Sequence, residues 1–328
     1  MKQLRFGIAG PGNIARKFAS AAKNLAEVEL YAVASRSRER AQDFAEKYDI
    51  PVVFDSYEAM AASPEVDCVY VATPHPFHKG CAEIFLNAKK HVISEKPLCI
   101  NRAQTEALIA SAKGNGVFLM EAMWTRFLPA IKEVLALIGR GEIGEVRGLT
   151  ADFCYNISYN EDSKMFKPEL AGGGTLDVGV YALHFAAMVL GTAVTDISAM
   201  GVVEEGCDCH MQALLQYESG AIAAISSATK LQKPADAFVY GTKGYIRIPD
   251  FYTASGFTVV KGEKAEEFSY PYLGNGFEGE ILEVVRCVNA GQKESAIHPL
   301  ARTLTVVKQM DEIRKRIGVR YPLPGENE

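Results

Sequence analysis

Lys96 is the residue whose type and setting most call for chemistry. It stands in Glu95-Lys96-Pro97, directly after an apolar run that reads as a buried strand, where a merely solubilising charge is out of place. An ammonium there can steady a developing alkoxide or move a proton at an oxygen. Side-chain alternation along the strand points Glu95 the other way, which disfavours a purely structural pair, and Pro97 stiffens the exit. The second reactive group is Tyr181. Asp177, Tyr181 and His184 are spaced i, i+4 and i+7, so they share one helical face, while Leu176, Val180, Leu183 and Ala187 form the apolar one. A tyrosine hydroxyl can act in proton transfer, Asp177 can orient it and His184 can complete the relay. Gly172-Gly173-Gly174 would let the helix start approach a ligand or another domain closely. A half-buried ring with a satisfied hydroxyl is an equally simple role for Tyr181, and the spacing leaves both open.

Such groups need a redox partner, and Leu4 to Ala21 supplies a place for one. Phe6, Ile8 and Ala9 predict a short buried strand; Gly10, Gly12 and Ala15 then spell G-x-G-x-x-A, with Asn13 and Ile14 opening a helix. Gly10 and Gly12 permit a sharp turn and close approach, Ala15 lets the helix pack tightly, and the free N–H groups would face a pyrophosphate. At the end of the second strand no acid stands ready for a ribose 2′-hydroxyl. Ser35, Arg36, Ser37, Arg38 and Arg40 are there instead, and a hydroxyl with guanidinium groups suits a 2′-phosphate. NADP(H) is therefore expected over NAD(H).

The positioning elements follow from periodicity. Strands are expected at 4–9, 28–34, 52–54, 66–72, 91–94 and 117–121, with helices between: a doubly wound parallel sheet whose ligand crevice lies at the strands' carboxyl ends. The loops Thr73-Pro74-His75-Pro76-Phe77-His78 and Glu95-Lys96-Pro97 fall there. Beyond Trp124 the alternation gives way to strands at 145–155, 195–203, 209–217, 221–229, 237–240, 244–248 and 257–260, joined by hairpin turns and interrupted by a helix at 175–190. The chain thus reads as α/β, with a dinucleotide-binding domain over 1–122 and a second α+β domain over 123–328 built on a large, mostly antiparallel sheet. Helices are expected at 129–138, 277–290 and 299–317, the last of which could pack back on the first domain, and 322–328 reads as a short tail.

Composition narrows the class of function. The chain has 328 residues, 48% hydrophobic and 23% charged, with a formal net charge of −5 and no long run of Lys or Arg, so a nucleic-acid partner is not expected. No apolar run is expected to approach the roughly 20 residues that span a bilayer, and the start reads as a buried strand and not a leader, which points to the cytoplasm. Seven cysteines, an odd and scattered set, indicate reduced thiols. Cys207, Cys209 and His210 have no second ligand pair, so no metal is expected and a surface hairpin is the reading for them.

Taken together, Gly10-x-Gly12-x-x-Ala15, the Thr73-Pro74 to His78 loop, Glu95-Lys96-Pro97 and Gly172-Gly173-Gly174 leading to Asp177 and Tyr181 resemble the glucose-fructose oxidoreductase, inositol dehydrogenase and rhizopine catabolism superfamily. Glu121-Ala122-Met123-Trp124-Thr125-Arg126-Phe127-x-Pro129, with Tyr181 where inositol dehydrogenases carry His, is most similar to the dimeric dihydrodiol dehydrogenase branch. The resemblance implies an NADP-linked alcohol or carbonyl oxidoreductase with Lys96 and Tyr181 near the reacting oxygen. It implies Arg36 and Arg40 at the cofactor's phosphate, and His75, His78, Trp124 and Phe153 in the pocket. The reading is hydride transfer between nicotinamide and a secondary carbinol or ketone of a cyclic sugar, diol or related carbonyl compound. Trp124, Arg126, Phe153 and Tyr155 join Lys96, Asp177 and Tyr181 as substrate-side residues, the aromatic ones offering flat faces to a ring. Two alternatives stand beside it: a sugar-to-sugar oxidoreductase that retains its cofactor, and a non-catalytic nucleotide-binding sensor. A homodimer, or a dimer of dimers, is expected through the outer face of the second sheet, on the strands carrying Ala213, Leu215, Ile222 and Ala224.

Overall fold

The computed structural model describes residues 2–158, 160 and 163–326. The chain divides into two compact units: Met1–Cys99 with Ala103–Trp124 and Leu273–Thr303, and Ile100–Arg102 with Thr125–Tyr272 and Leu304–Glu328.

The first unit alternates strand and helix: β1 (Leu4–Ala9), α1 (Asn13–Ala22), β2 (Val28–Ala34), α2 (Arg38–Tyr48), β3 (Val52–Phe54), α3 (Tyr57–Ala62), β4 (Cys68–Val71), α4 (His78–Asn87), β5 (His91–Glu95), α5 (Arg102–Asn115) and β6 (Leu119–Ala122). The six strands form one sheet in the order β3-β2-β1-β4-β5-β6, every neighbour parallel. Phe6, Ile8, Val33, Val69 and Ile93 are wholly buried, as strands covered on both faces require. The order reverses between β1 and β4, which opens the crevice beside the β1–α1 turn. Ala15 is fully buried against the sheet, and the Phe18 ring stacks on Tyr70 at 3.9 Å between centroids.

In the second unit α6 (Pro129–Gly139) leads into β7 (Val146–Cys154). A π-helical turn, Thr175–Gly179, runs directly into α7 (Val180–Leu190), and then come β8 (Val194–Glu204), β9 (Cys207–Tyr217), β10 (Ile222–Ala228), β11 (Ala237–Gly241), β12 (Gly244–Ile248), β13 (Gly256–Lys261) and β14 (Lys264–Ser269). The eight strands lie in the order β14-β13-β12-β11-β7-β10-β9-β8, antiparallel except for the β7–β10 pair. β14 has no sequence signal, because it is a charged, exposed edge strand.

Four expectations change here. Ala213 and Leu215 face inward and are buried; the outer face of β9 carries Gln212, Leu214 and Gln216, while Ile222 and Ala224 keep their outward place. A one-residue error in strand phase is enough to exchange the faces. Cys207, Asp208 and Cys209 are buried at the start of β9, with the hairpin turn before them at Glu205–Gly206. The polar stripe expected on the 175–190 helix is absent as a solvent face: Val180 to Met188 are all buried, His184 among them. The stretch Pro168–Leu190 is in fact long and apolar enough to span a bilayer by composition, yet 83% of its apolar window is buried inside the fold, the position of a core helix.

Two helices close the chain, α8 (Glu278–Asn289) and α9 (Leu300–Ile317). The segment 273–303, which follows the second-domain strands in sequence, groups with the first unit. There α8 packs on α1, Asn275 Nδ2 donates to the Lys17 carbonyl at 2.8 Å and Asn289 Nδ2 to that of Lys2 at 3.0 Å. The last residues are also held. Glu326 is paired with the buried Arg314 of α9, so a loose tail does not begin at Pro322; residues 327–328 lie outside the described residues.

Candidate active site

On the first unit, α1 begins without a side-chain cap and with no acidic residue in its first turn, whereas α2 and α3 are capped by Ser37 and Ser56. Its N–H groups and dipole are thus left for an external anion. Gly10 has φ +91° and lies 3.0 Å, measured from a Cβ built on it, from the Ala72 carbonyl oxygen, so no side chain fits. A Cβ on Gly12 would meet nothing within 4 Å, which leaves room for a ligand beside the Asn13, Ile14 and Ala15 N–H groups. Ser35 is buried and its Oγ accepts from the Ser37 N–H at 3.2 Å. Arg36 and Arg40 are exposed and have no carboxylate partner among the described residues, while Arg38 is turned away onto Asp55. Arg36 lies 5.2 Å over the exposed Phe77 ring, and both Arg36 and Arg40 act on Tyr57, whose hydroxyl burial pushes up to about 12 against their opposing charge.

His78 ties two of the carboxyl-end loops together. Its Nδ1 lies 2.8 Å from the Pro97 carbonyl and its Nε2 2.7 Å from that of Thr73. A neutral ring can donate to only one of these, an imidazolium to both. The expected clustering of His75 and His78 with Thr73, Pro74 and Glu95-Lys96-Pro97 is realised, the two rings meeting edge on at 5.7 Å. Thr73 Oγ1 is buried without a partner among the described residues, as a group reserved for a ligand would be. Glu95 accepts from the Tyr70 hydroxyl at 2.5 Å and from the Lys96 N–H at 3.2 Å. It therefore points inward and away from the loop surface, as strand alternation demands. Trp124 stacks on Phe277 of the α8 entry with centroids 5.0 Å apart, and Arg126 is half-buried in the short helical turn Trp124–Phe127. These residues fit a nicotinamide dinucleotide with a 2′-phosphate.

On the second unit, Phe153, Tyr155, Tyr181 and Tyr252 form an aromatic wall. Phe153 stacks on Tyr252 at 4.0 Å, and Tyr181 lies 5.5 Å from Phe153 and 5.9 Å from Tyr252. A cavity of about 440 Å³ opens beside it, lined by Phe153, Tyr155, Lys233, Asp250 and Tyr252 among others. Asp177 accepts from Lys164 Nζ at 2.9 Å and from the Tyr155 hydroxyl at 3.3 Å. Burial, then the Asp177 charge, drives the Tyr155 hydroxyl well above its ordinary range, so it stays a neutral donor. Tyr181 and Asp177 thus sit among flat rings and one ammonium, a surface suited to a cyclic, hydroxylated compound.

Residues 4–123 match the oxidoreductase family with an NAD-binding Rossmann fold, and residues 131–247 match the GFO/IDH/MocA C-terminal domain. The chain belongs to the Gfo/Idh/MocA oxidoreductase family. Its chemistry is nicotinamide-dependent oxidoreduction. This Gfo/Idh/MocA chain is 37% identical to the trans-1,2-dihydrobenzene-1,2-diol dehydrogenase of Mus musculus, over 97% of the chain and 98% of the mouse protein. Against the human protein of that name the identity is 35%, over the same shares. Among solved structures it is similar to KijD10, a 3-ketoreductase from Actinomadura kijaniata in complex with NADP and TDP-benzene, with 26% identity, TM-score 0.87 and coverage of 96% and 98% of the two chains. It is also similar to an aldose-aldose oxidoreductase from Caulobacter crescentus complexed with glycerol, with 25% identity, TM-score 0.88 and coverage of 96% and 97%.

In this family member several site residues carry no sequence signal. Tyr252 and Lys164 lie in three-residue 3-10 turns too short to show a period, and Phe277 is distant in sequence from the Trp124 it stacks on. The triple glycine was a signal with the wrong object. A Cβ on Gly172 would lie 2.5 Å from the Lys164 carbonyl oxygen, and one on Gly173, at φ +109°, 2.3 Å from Asp208 Oδ1. The glycines admit neighbouring segments of their own unit.

Proposed function

We propose that the protein is an NADP(H)-dependent oxidoreductase that interconverts a secondary alcohol and ketone on a cyclic diol or sugar, with Lys96 and Tyr181 handling the proton. When bound, the nicotinamide gives or takes the hydride. Oxidation of a carbinol also requires its hydroxyl proton to leave, and reduction of the ketone requires one to arrive. Lys96 holds an ammonium at the exit of β5 and steadies charge on the reacting oxygen, while Tyr181 bonds the same oxygen and passes the proton. The observation that carries this reading is the setting of Tyr181 in the ring wall of Phe153 and Tyr252, one turn from an Asp177 already neutralised by Lys164. The preference for NADP(H) rests on Arg36 and Arg40, both without a carboxylate partner among the described residues. The dinucleotide is assigned to the first unit, with Trp124 bordering the nicotinamide, and the substrate to the second, with Arg126 beside it. Buried, unbridged cysteines support a cytoplasmic enzyme.

The likeness to the aldose-aldose oxidoreductase supports a second reading, a sugar-to-sugar enzyme that keeps its nucleotide through the cycle. Self-association is assigned to the outer sheet face, where Met200, Val202, Leu214, Ile222, Tyr240 and Tyr245 are exposed.

Nicotinamide absorbance with a panel of trans-dihydrodiols, sugars and cyclic ketones tests the assignment. Turnover with NADP(H) is expected for at least one cyclic substrate. Lys96→Met should lose most of kcat while still binding NADPH, and Tyr181→Phe should lose roughly a hundredfold or more. Near wild-type kcat in Lys96→Met would remove that residue from the mechanism. Nucleotide that survives purification and turns over without added cofactor would favour the second reading.

A further inference from the structure

The entry of the helix that carries Asp177 and Tyr181 is held by one buried carboxylate. Asp208, wholly buried at the start of β9, accepts from the Thr175 N–H at 2.7 Å and from Thr175 Oγ1 at 2.8 Å, both on Oδ2. Its Oδ1 has no partner among the described residues. That oxygen occupies the space where a Cβ of Gly173 would stand, 2.3 Å away, and a Cβ on Gly174 would lie 3.3 Å from Oδ2. The same entry is closed from other sides by Ser227 Oγ, 3.0 Å from a Cβ built on Gly179, and by the Tyr321 hydroxyl, which donates to the Gly172 carbonyl at 2.6 Å. Thr175 is two residues before Asp177 and six before Tyr181, and the turn between them is π-helical, a rare form that is frequent at functional sites.

We propose that Asp208 is a positioning residue of the active site: its carboxylate fixes the Gly172–Thr175 entry and through it the placement of Asp177 and Tyr181. An anion at a helix N-terminus bonds free N–H groups and meets the positive end of the dipole. The carboxylate is used for geometry at the expense of stability. Burial raises its titration to about 6, the two Thr175 hydrogen bonds and the Arg314 charge opposing that rise. The groups that face it are Arg314 of α9, Tyr321 beyond that helix and Cys207 beside it on β9; Arg314 is in turn held by Glu326 and Asp311. A carboxyl titrating higher in the folded than in the unfolded chain stabilises the fold fully below its unfolded value, near 4. That contribution is lost as the pH rises through about 6. At neutral pH the ionised group is therefore one that stability alone would not select.

The proposal rests on the oxidoreductase reading, and its test separates the two. Asp208→Asn in the full chain keeps size and shape and removes the charge. In the direction of ketone reduction the proton donor accounts for loss of rate at high pH, so a limb at low pH that Asp208→Asn abolishes is the one that Asp208 sets. The variant should lose that limb and should lower kcat on the order of tenfold to a hundredfold, the scale of a misplaced reacting group. NADPH affinity, followed by fluorescence titration, should not change, and Tm at pH 7.5 should be equal or higher. Thr175→Val should give a smaller loss of the same kind, and Thr175→Ser should restore it. An unchanged kcat and acid limb in Asp208→Asn would overturn the proposal, as would a fall in Tm that tracks the loss of rate. Should the wild type turn over no substrate, the oxidoreductase reading fails. Amide exchange then decides on Asp208 alone, with loss of protection at 173–177 in the variant supporting it and unchanged protection overturning it.

Discussion

Lys164 Nζ donates to Asp177 Oδ1 at 2.9 Å, so the carboxylate next to Tyr181 is already occupied by a cation of its own unit. The Tyr155 hydroxyl takes the other oxygen. Asp177 is thereby held in a fixed orientation by two donors. Lys164→Met should leave Asp177 with an unbalanced charge and lower kcat, with NADPH binding unaffected. In a double-mutant cycle with Asp177→Asn the two losses should be non-additive, with a coupling of about 0.5–3 kcal/mol. Additive losses would show that the pair is not used in turnover.

Arg36, just past β2, and Arg40, in the first turn of α2, stand exposed with no carboxylate to answer them among the described residues. Charge-assisted hydrogen bonds to a 2′-phosphate contribute about 1.5–3 kcal/mol, or roughly tenfold and more in affinity. NADPH should therefore bind more tightly than NADH, and Arg36→Asp should reverse the order. Equal affinities for the wild type at moderate salt would count against the assignment.

The parts of the fold legible in the sequence are those with a strong period or a forced backbone. β1, β2 and β3 begin and end where their apolar runs do, and Gly10 is needed at a place where φ is +91°. The groups assigned to the cofactor were legible for the same reason: they lie in the segments that follow strand ends, and the doubly wound order sends every such loop to one edge. The substrate side was legible only in part. Phe153, Asp177 and Tyr181 lie on regular elements, but Lys164 and Tyr252 reach them from short 3-10 turns whose place depends on tertiary packing. The helix that carries Asp177, Tyr181 and His184 starts with a π turn and is buried all round, so no face of it is a solvent face. The helix α8 announced its apolar stripe, Ile281, Val284 and Val285, but a stripe does not name what it packs on.

The outer row of the large sheet can be read from register. Leu214 pairs with Ala224, and the next outward row sets Ile222 beside Gly148 and Tyr240 beside Tyr245. Gly148 offers no side chain between two large ones, which leaves a flat apolar band. Light scattering at micromolar concentration should give a dimer or tetramer, and Leu214→Glu should shift it toward monomer with the circular dichroism spectrum preserved. A wild-type monomer would refute the assignment of this face.

Glu280 of α8 is wholly buried, and neither carboxylate oxygen has a partner among the described residues. Burial, then the charge of Glu95, holds its carboxyl well above the ordinary value of 4.5, so the folded chain keeps a proton that the unfolded chain gives up. The sign of the linkage follows. The contribution to stability is complete below about 4.5 and declines as the pH rises toward the folded titration, at up to about 1.4 kcal/mol per pH unit while only the unfolded chain is ionised. Glu280→Gln is neutral in both states and removes that slope, though its amide N–H groups can also be left unsatisfied in the same space. The pH dependence of the difference is the informative quantity, since the packing cost of the amide is the same at every pH. Thermal unfolding at pH 5 fixes the baseline between the two proteins, and at pH 8 the variant should have gained on the wild type. A difference in Tm that stays constant from pH 5 to 8 would mean that Glu280 is ionised in the folded chain and has a partner that offsets its charge.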